Sequence, residues 1–327
     1  MHKSWNSLRA ASLAMLLAAS GGSEAQPTKW PLRPVRIVVP FSVGSGTDLT
    51  TRIVAEKLAG RWGQPIIVDN KPGAAGIIGV QDFKKSPPDA HDFLMGSNGE
   101  LSANPHVYAK LPYDVERDFE AIVYVFRVPF VFFVSTTSDI KSLMDLVRAA
   151  KAQPGKLSYA SSGTASPMQL GTELFNVQSG LQMLHVPFKG AAQLLPAVAS
   201  GEVTTMLLSY NTGRPLVELG RLRPLAVTST TRLRQRADVP TAAEAGVPVV
   251  YESWGTLVGL KGLPPAIVDR VNADINEVLK LPEVRERFNT IGFEITGGSA
   301  AEAAELIRQE SVRMRDVVLK AGIKAGQ

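Results

Sequence analysis

Short apolar runs alternate with amphipathic stretches along the chain from residue 35 onward. Val35 to Val39 has the length and composition of a strand, and a helical stretch follows from about Asp48 to Arg61, with Leu49, Ile53 and Leu58 among its apolar positions. "QPIIVDN" (64–70) predicts a second strand, "GIIGVQDFKKS" (76–86) a second helix opening at glycine, and "DFLMGS" (92–97) a third strand. A second block begins near "VFFVS" (131–135) and continues with a helix around "SLMDLVRAAKA", where Ser142 is an N-cap candidate. "KLSYASSGTASPMQLGTELFNVQSG" then reads as strand, glycine loop and helix, and 181–190, 202–211 and 222–229 each supply a strand. A short helix is expected at Ala242 to Ala245, a strand within 252–264, and a helical tail over 266–280, "PEVRERFNTIG" and 300–321. This alternation predicts βαβ units and a mainly parallel sheet, hence an α/β fold.

The N-terminal segment follows a different logic. Lys3 and Arg9 give a positive start, an apolar stretch runs from Ala10 to Ala19, and Ser23-Glu24-Ala25 places small residues where a signal peptidase reads. Residues 1–25 are therefore expected to be a signal peptide cleaved after Ala25, because the apolar run is about half the ~20 residues that span a bilayer. The later run "YVFRVPFVFFVS" (124–135) is also short and is interrupted by Arg127 and Pro129, so it is expected to be buried strand. The chain has no cysteine, which excludes a lipid-anchored lipoprotein, a disulfide and thiolate chemistry; export without cysteine suits a bacterial periplasm. Without Lys3, Arg9 and Glu24, 33 basic residues stand against 29 acidic ones. So small an excess, with no basic block, argues against a nucleic-acid partner.

Candidate chemistry centres on two loops. "PFSVGSGTD" follows the first strand and opens a helix, and "SSGTAS" takes the corresponding place in the second block, where Ser45-Gly46-Thr47 is echoed by Ser162-Gly163-Thr164. A helix N-terminus leaves backbone N–H groups unpaired and favours an anion, glycine lets the backbone approach a ligand, and Ser or Thr adds hydroxyl donors. Two such loops facing each other would hold a small carboxylate without a buried lysine.

Nucleotide chemistry fits less well. No Lys-Ser or Lys-Thr pair follows the first loop, and Leu49 occupies the third glycine position of G-x-G-x-x-G, although Asp69 stands where a ribose-binding acid would. There is no G-x-S-x-G elbow, and His91, His106 and His185 are scattered without a metal-ligand spacing. No metal or cofactor is expected. His185 reads as a strand-end packing or hydrogen-bonding residue rather than a base. Asp48 suits a helix cap, with a ligand contact, loop fixing or general-base work left open. Tyr210, ending a strand, can touch a ligand or plug an interface, and Lys189 can pair with a ligand carboxylate or stand solvated.

Several stretches together resemble one family. "WPLRPVRIVVPFSVGSGTD", "WGQPIIVDNKPGAAGIIG", "ANPHVYAKLPYDVERDFEAI", "AQPGKLSYASSGTAS", "HVPFKGAAQLLPAVASGEV", "LRPLAVTSTTRL" and "DVPTAAEAG" are similar, in this order, to the tripartite tricarboxylate transporter receptors, or Bug proteins. The resemblance implies a periplasmic solute-binding protein of the two-lobed type II form, whose lobes close on a small organic acid and whose loaded form meets a membrane permease. It also implies one carboxylate held by two loops, here Phe41 through Asp48 and Ser161 through Ser166. The residues that carry over are Phe41, Gly44, Ser45, Gly46, Thr47 and Asp48, with Ser162, Gly163, Thr164 and Ser166; Ser97 and Asn98 resemble a ligand-facing strand end. The chain departs from the family in having Ser45 between two glycines and Phe188 in "PFKG" where tyrosine is common.

The resulting expectation is a non-enzymatic, monomeric receptor for a di- or tricarboxylate or an aromatic acid, with parallel-rich sheets, helices on both faces and two crossover strands. Lobe 1 is expected to combine 27–130 with 254–327, lobe 2 to comprise 131–253, and "VPFVFFV" and "SWGTLVGL" to make the crossings. A sensor of the same fold feeding a two-component system is one rival, and a periplasmic hydrolase or isomerase using Asp48 or His185 is another.

Overall fold

The structure, a computed structural model, describes residues 30–324, so the expected signal peptide lies outside the described residues. Residues 30–32 contain a cis Trp30–Pro31 peptide bond, and the chain from Arg33 onward forms one unit. That unit begins with β1 (Val35–Val39), α1 (Gly46–Trp62), β2 (Ile66–Asn70), α2 (Ile77–Lys84) and β3 (Asp92–Ser97). Helical turns over 99–107 lead to β4 (Phe119–Ser135), a strand of 17 residues. Then come α3 (Leu143–Ala152), β5 (Ser158–Ser161), α4 (Pro167–Ser179), β6 (Leu184–Pro187), α5 (Ala191–Ala199), β7 (Thr205–Ser209), α6 (Tyr210–Glu218) and β8 (Leu222–Val227). The remainder is β9 (Glu252–Leu260), α7 (Pro265–Lys280), α8 (Pro282–Ile291), β10 (Glu294–Ile295) and α9 (Ala300–Ala321).

The strands order as β2-β1-β3-β9-β4-β7-β5-β6, with β8 and β10 also pairing to β4. Parallel pairing holds at both ends, in β2-β1-β3 and in β7-β5-β6, where helices return the chain to the same edge. Around β4 and β9 the pairing is antiparallel, so the sheet is mixed. β4 connects two strand sets: Phe119 to Pro129 pairs with β9, and Phe130 to Ser135 pairs with β7 or β8. The return passage comes at Tyr251–Glu252, just before the run expected for it; the Tyr251 N–H donates to the Thr228 carbonyl, whereas Glu252 already pairs with Pro129.

Each set has its own apolar core. Val38, Phe83, Leu94, Phe119 and Val258 pack in the first, and Val131, Phe133, Leu194, Met206 and Leu222 in the second. Each such side chain contributes about 1.5–3 kcal/mol when fully buried. Ser142 caps α3 by accepting the Asp145 N–H, as its position before the apolar pattern predicts. Ala242 to Ala245 forms turns rather than the expected helix, and a single helical turn stands at Arg234–Arg236 instead. No helix among the described residues is long and apolar enough to cross a membrane.

Candidate functional site

The carboxyl ends of the two strand sets meet at the middle of β4. Ser97, the last residue of β3, pairs with Gly255, which pairs with Phe126. Ser209, the last residue of β7, pairs with Phe130. Four residues of strand separate these registers, about 13 Å at the usual rise. β1 runs parallel to β3, and β5 and β6 run parallel with β7, so the loops at 40–45, 161–166 and 187–190 leave from the same two edges. Ligands of α/β sheets bind outside the carboxyl ends of strands, where the loops and helix N-termini are.

The first loop is braced from within. Ser45 is the N-cap of α1 and accepts the Asp48 N–H at 3.2 Å. Asp48 is 1 % exposed; its Oδ2 accepts the Gly44 N–H at 2.8 Å, and its Oδ1 accepts from Arg52 Nε at 2.9 Å and Asn70 Nδ2 at 3.0 Å. Asn70 Nδ2 also donates to the Phe41 carbonyl at 3.0 Å. Burial works to raise the Asp48 carboxyl, but the Gly44 N–H, Arg52 and Asn70 outweigh it and hold its pKa below the ordinary value. Ser45, and not Asp48, is therefore the cap, because Asp48 already lies in the first helical turn; of the roles left open for Asp48, the geometry supports loop fixing. Gly46 lets the Phe293 ring lie across the start of α1, since a Cβ there would come within 2.1 Å of that ring. The Gly46 and Thr47 N–H groups belong to the first helical turn, which has no intrahelical acceptor for them.

The second loop repeats this device with different residues. Ser166 is the N-cap of α4 and accepts the Gln169 N–H at 3.3 Å, while Gln169 Oε1 accepts the Ala165 N–H at 2.7 Å. Gly44-Ser45-…-Asp48 thus corresponds to Ala165-Ser166-…-Gln169. The Ser-Gly-Thr echo seen in the sequence is displaced: Ser45 is a cap, whereas Ser162, Gly163 and Thr164 precede their cap. Ser162 is exposed and Thr164 half-buried, and the hydroxyls of Thr47, Ser162 and Thr164 bond no described residue.

Ser161, fully buried, anchors the start of this loop. Its Oγ lies 2.6 Å from His185 Nε2, and Gln169 Nε2 lies 3.2 Å from His185 Nδ1. A backbone N–H can only donate, so Gln169 Oε1 faces Ala165 and its amide nitrogen donates to Nδ1. His185 is therefore neutral with its proton on Nε2, which donates to Ser161 Oγ. Burial lowers the His185 pKa, in keeping with a neutral ring. The spacing of Ser161 and His185 is that of a nucleophile and a base, but an Nε2 already carrying hydrogen cannot take the serine proton.

Ser97 and Asn98 are buried and bonded within the chain. The Ser97 N–H and Oγ donate to Glu100 Oε2 at 3.0 and 2.7 Å. Asn98 Oδ1 accepts the Trp254 N–H at 2.9 Å, and its Nδ2 donates to the Glu252 carbonyl at 3.2 Å, which fixes the start of β9. Glu100, absent from the sequence expectations, is 2 % exposed, and burial raises its pKa. The turn carrying these residues reaches the second loop, for a Cβ on Gly99 would lie 3.5 Å from the Ala165 carbonyl oxygen. Lys189 follows β6 beside the Ser161 end of β5 and is exposed. Tyr210 is buried against Phe133, and its Oη accepts from Arg236 Nη1 at 2.7 Å. Asp69 is spent on Arg36 at 3.2 Å, which removes the ribose-binding mimicry.

A groove of about 1210 Å³ runs beside β4 and is lined by Arg127, Arg214, Arg232, Arg234 and Arg285, with Glu294 as the carboxylate among its lining. Arg127 pairs with Glu294, Arg214 with Glu218 and Arg232 with Glu244, whereas Arg234 and Arg285 form no ion pair among the described residues. Sequence reading missed this cationic groove because its arginines are distributed over β4, α6, the 231–235 loop and α8.

Solved structures share this fold. The chain is 34% identical to Rpa4515 of Rhodopseudomonas palustris, solved with adipate, with a TM-score of 0.82 over 90% of this chain and 99% of that one. It is 28% identical to MatC (Rpa3494) from Rhodopseudomonas palustris, with bound malate, with a TM-score of 0.78 over 88% and 100%. The periplasmic binding protein BugD is 28% identical, with a TM-score of 0.77 over 90% and 99%. The family model for the tripartite tricarboxylate transporter family receptor matches residues 50–323. The chain belongs to the tripartite tricarboxylate transporter receptor family and has the α/β fold of periplasmic binding proteins.

Proposed function

We propose that this protein is a periplasmic receptor that captures a small organic carboxylate, a dicarboxylate foremost, and delivers it to a tripartite tricarboxylate-type membrane permease. The observation that carries the reading is the pair of braced, serine-capped helix N-termini at the carboxyl ends of two strand sets that meet on β4. Two relatives of the same fold hold short acids, adipate and malate. Backbone N–H groups of the two loops, with the hydroxyls of Thr47, Ser162 and Thr164, hold the carboxylate out of water, where each hydrogen bond to the ion gains strength. Asp48, Gln169, Ser97 and Asn98 act behind these donors as braces.

In this reading the two strand sets are lobes, 27–130 with 254–327 and 131–253, which rotate about β4 and the 251–252 passage. Closure follows from the ligand's greater affinity for the closed state. The signal peptide ends at Ala25, and the protein captures without turnover.

Native mass spectrometry of the freshly purified protein, followed by a thermal-shift screen of mono-, di- and tricarboxylates and aromatic acids, tests the proposal. At least one carboxylate is expected to raise the transition. A sugar or a cation that raises it where no carboxylate does would sink the idea.

A further inference from the structure

We infer that His185 is a positioning residue for the second loop, and that ligand capture weakens when this imidazole takes a second proton. The inference rests on the carboxylate-receptor reading for its effect on capture, but its structural core does not need a ligand.

The network has one consistent arrangement of hydrogens. Ala165 N–H donates to Gln169 Oε1, Gln169 Nε2–H donates to His185 Nδ1, and His185 Nε2–H donates to Ser161 Oγ. Ser161 Oγ also accepts the Gly163 N–H at 3.1 Å and donates to the Gly163 carbonyl at 3.2 Å. The loop from Ser161 to Ala165 is thus tied at both ends to a single ring, and only the Nδ1 end depends on its protonation state.

A second proton places N–H at Nδ1, where it faces the Gln169 NH₂. Two donors then oppose each other, and that bond is lost. Turning the Gln169 amide restores it at the expense of Ala165, whose N–H would then face NH₂. Ala165 depends on that bond more than an ordinary loop residue does, since it sits at φ +58°, a conformation L-residues adopt only under constraint. Ala165 is also the point of the second loop that lies against Gly99 of the first strand set. The release therefore reaches both sides of the site.

The surroundings leave His185 free to act as the titrating group. From β5, Tyr159 stacks on the ring at 5.0 Å. From α4 the titratable residue is Glu173, which accepts the Tyr159 hydroxyl. α5 carries no titratable residue, and Lys189 stands exposed at the exit of β6 without an ion pair among the described residues. Burial raises the pKa of Glu173, which makes that carboxyl the control.

Nuclear magnetic resonance of ¹⁵N-histidine-labelled protein tests the core directly. The His185 signal, assigned by its absence in His185→Gln, is expected to report the neutral Nε2–H form at about pH 7.5. Its protonation is expected to move the Ala165 amide resonance. An Nδ1–H tautomer, or an Ala165 amide that ignores the titration, overturns the inference.

The binding arm uses adipate and calorimetry at about pH 7.5 and about pH 5.5. The wild type is expected to lose on the order of tenfold more affinity than His185→Gln, whose carboxamide accepts from Gln169 and donates to Ser161 at both pH values. Gln169→Glu is expected to reverse the trend, because a carboxylate accepts from both Ala165 and a protonated ring. Glu173→Gln is expected to keep the wild-type pH dependence. Equal losses in wild type and His185→Gln, or a dependence abolished by Glu173→Gln, overturn it. If adipate binds to no variant, the thermal-shift screen judges the carboxylate reading, and the resonance arm alone decides the positioning role.

Discussion

Asp48 Oδ2 accepts the Gly44 N–H at 2.8 Å, so a buried carboxylate holds the backbone of the very loop that leads into α1. Gln169 and Ala165 form the same link in the second loop, with a neutral amide in place of the acid. The consequences of the two links differ, because only the first is charged.

Asp48→Ala removes the acceptor shared by Gly44, Arg52 and Asn70 and leaves those donors around an empty position. A loss of about 3 kcal/mol is expected, in the range for breaking a buried charged pair. Urea denaturation measures it. Asp48→Asn keeps one acceptor oxygen and is expected to cost less. An unchanged midpoint for the alanine variant would contradict the bracing role.

The pH dependence of this brace has a definite sign. The folded-state pKa of Asp48 lies below its ordinary value, so its contribution is present above the ordinary carboxylate range and is lost as pH falls through the depressed value. Acid unfolding of the wild type should therefore show a stability difference from Asp48→Asn that shrinks toward zero below that range. A difference that grows on acidification would reverse the assignment.

Gly46→Ala sets a methyl group against the Phe293 ring, which would lie 2.1 Å from it without rearrangement. Overpacking of this kind costs about 1–3 kcal/mol. The double variant with Phe293→Ala is expected to recover most of the loss attributable to the clash, seen as non-additivity in a denaturation cycle. Additive losses would mean that the ring does not constrain Gly46.

Asn98→Ala strips the partner from the buried Trp254 N–H and from the Glu252 carbonyl. Each unsatisfied group costs about 1–3 kcal/mol, and the damage falls where the chain returns to the first strand set. Hydrogen exchange should report lost protection at Trp254 ahead of the β1 and β2 amides. Uniform loss across the sheet would argue that Asn98 has no local role.

Arg234 and Arg285 present positive charge to the groove beside β4 without ion-pair partners among the described residues. Replacing both with glutamate is expected to slow the capture of an anionic solute, with an effect that fades as salt is added. Stopped-flow measurements at two ionic strengths check this. A slowing that persists at high salt would point to direct contact instead of steering.

The order of strands and helices was legible in the chain itself because each parallel strand needs a crossover helix, and short apolar runs alternating with helical stretches record that need. The cap of α1 was less legible, for Asp48 reads as the cap from sequence whereas Ser45 takes that place and Asp48 stands three residues further on; Ser166 caps α4 in the same way. The correspondence of the two loops was not legible. The tripeptide Ser-Gly-Thr offered a false alignment, and the true one pairs Asp48 with Gln169, two residues related by the acceptor oxygen they supply and not by similarity of sequence.

Local sequence determined which segments bury an apolar face and where helices begin, because those choices depend on neighbours within a few turns. Tertiary structure decided the rest. The registers that bring Ser97 and Ser209 to within four residues of each other on β4 depend on hydrogen bonds between residues 71 or more positions apart. The same holds for His185 and Ser161, which meet through parallel pairing of β5 and β6, and for Phe293 over Gly46. Such contacts carry no periodicity, so the groups that brace a ligand loop become visible only when the chain has closed on itself.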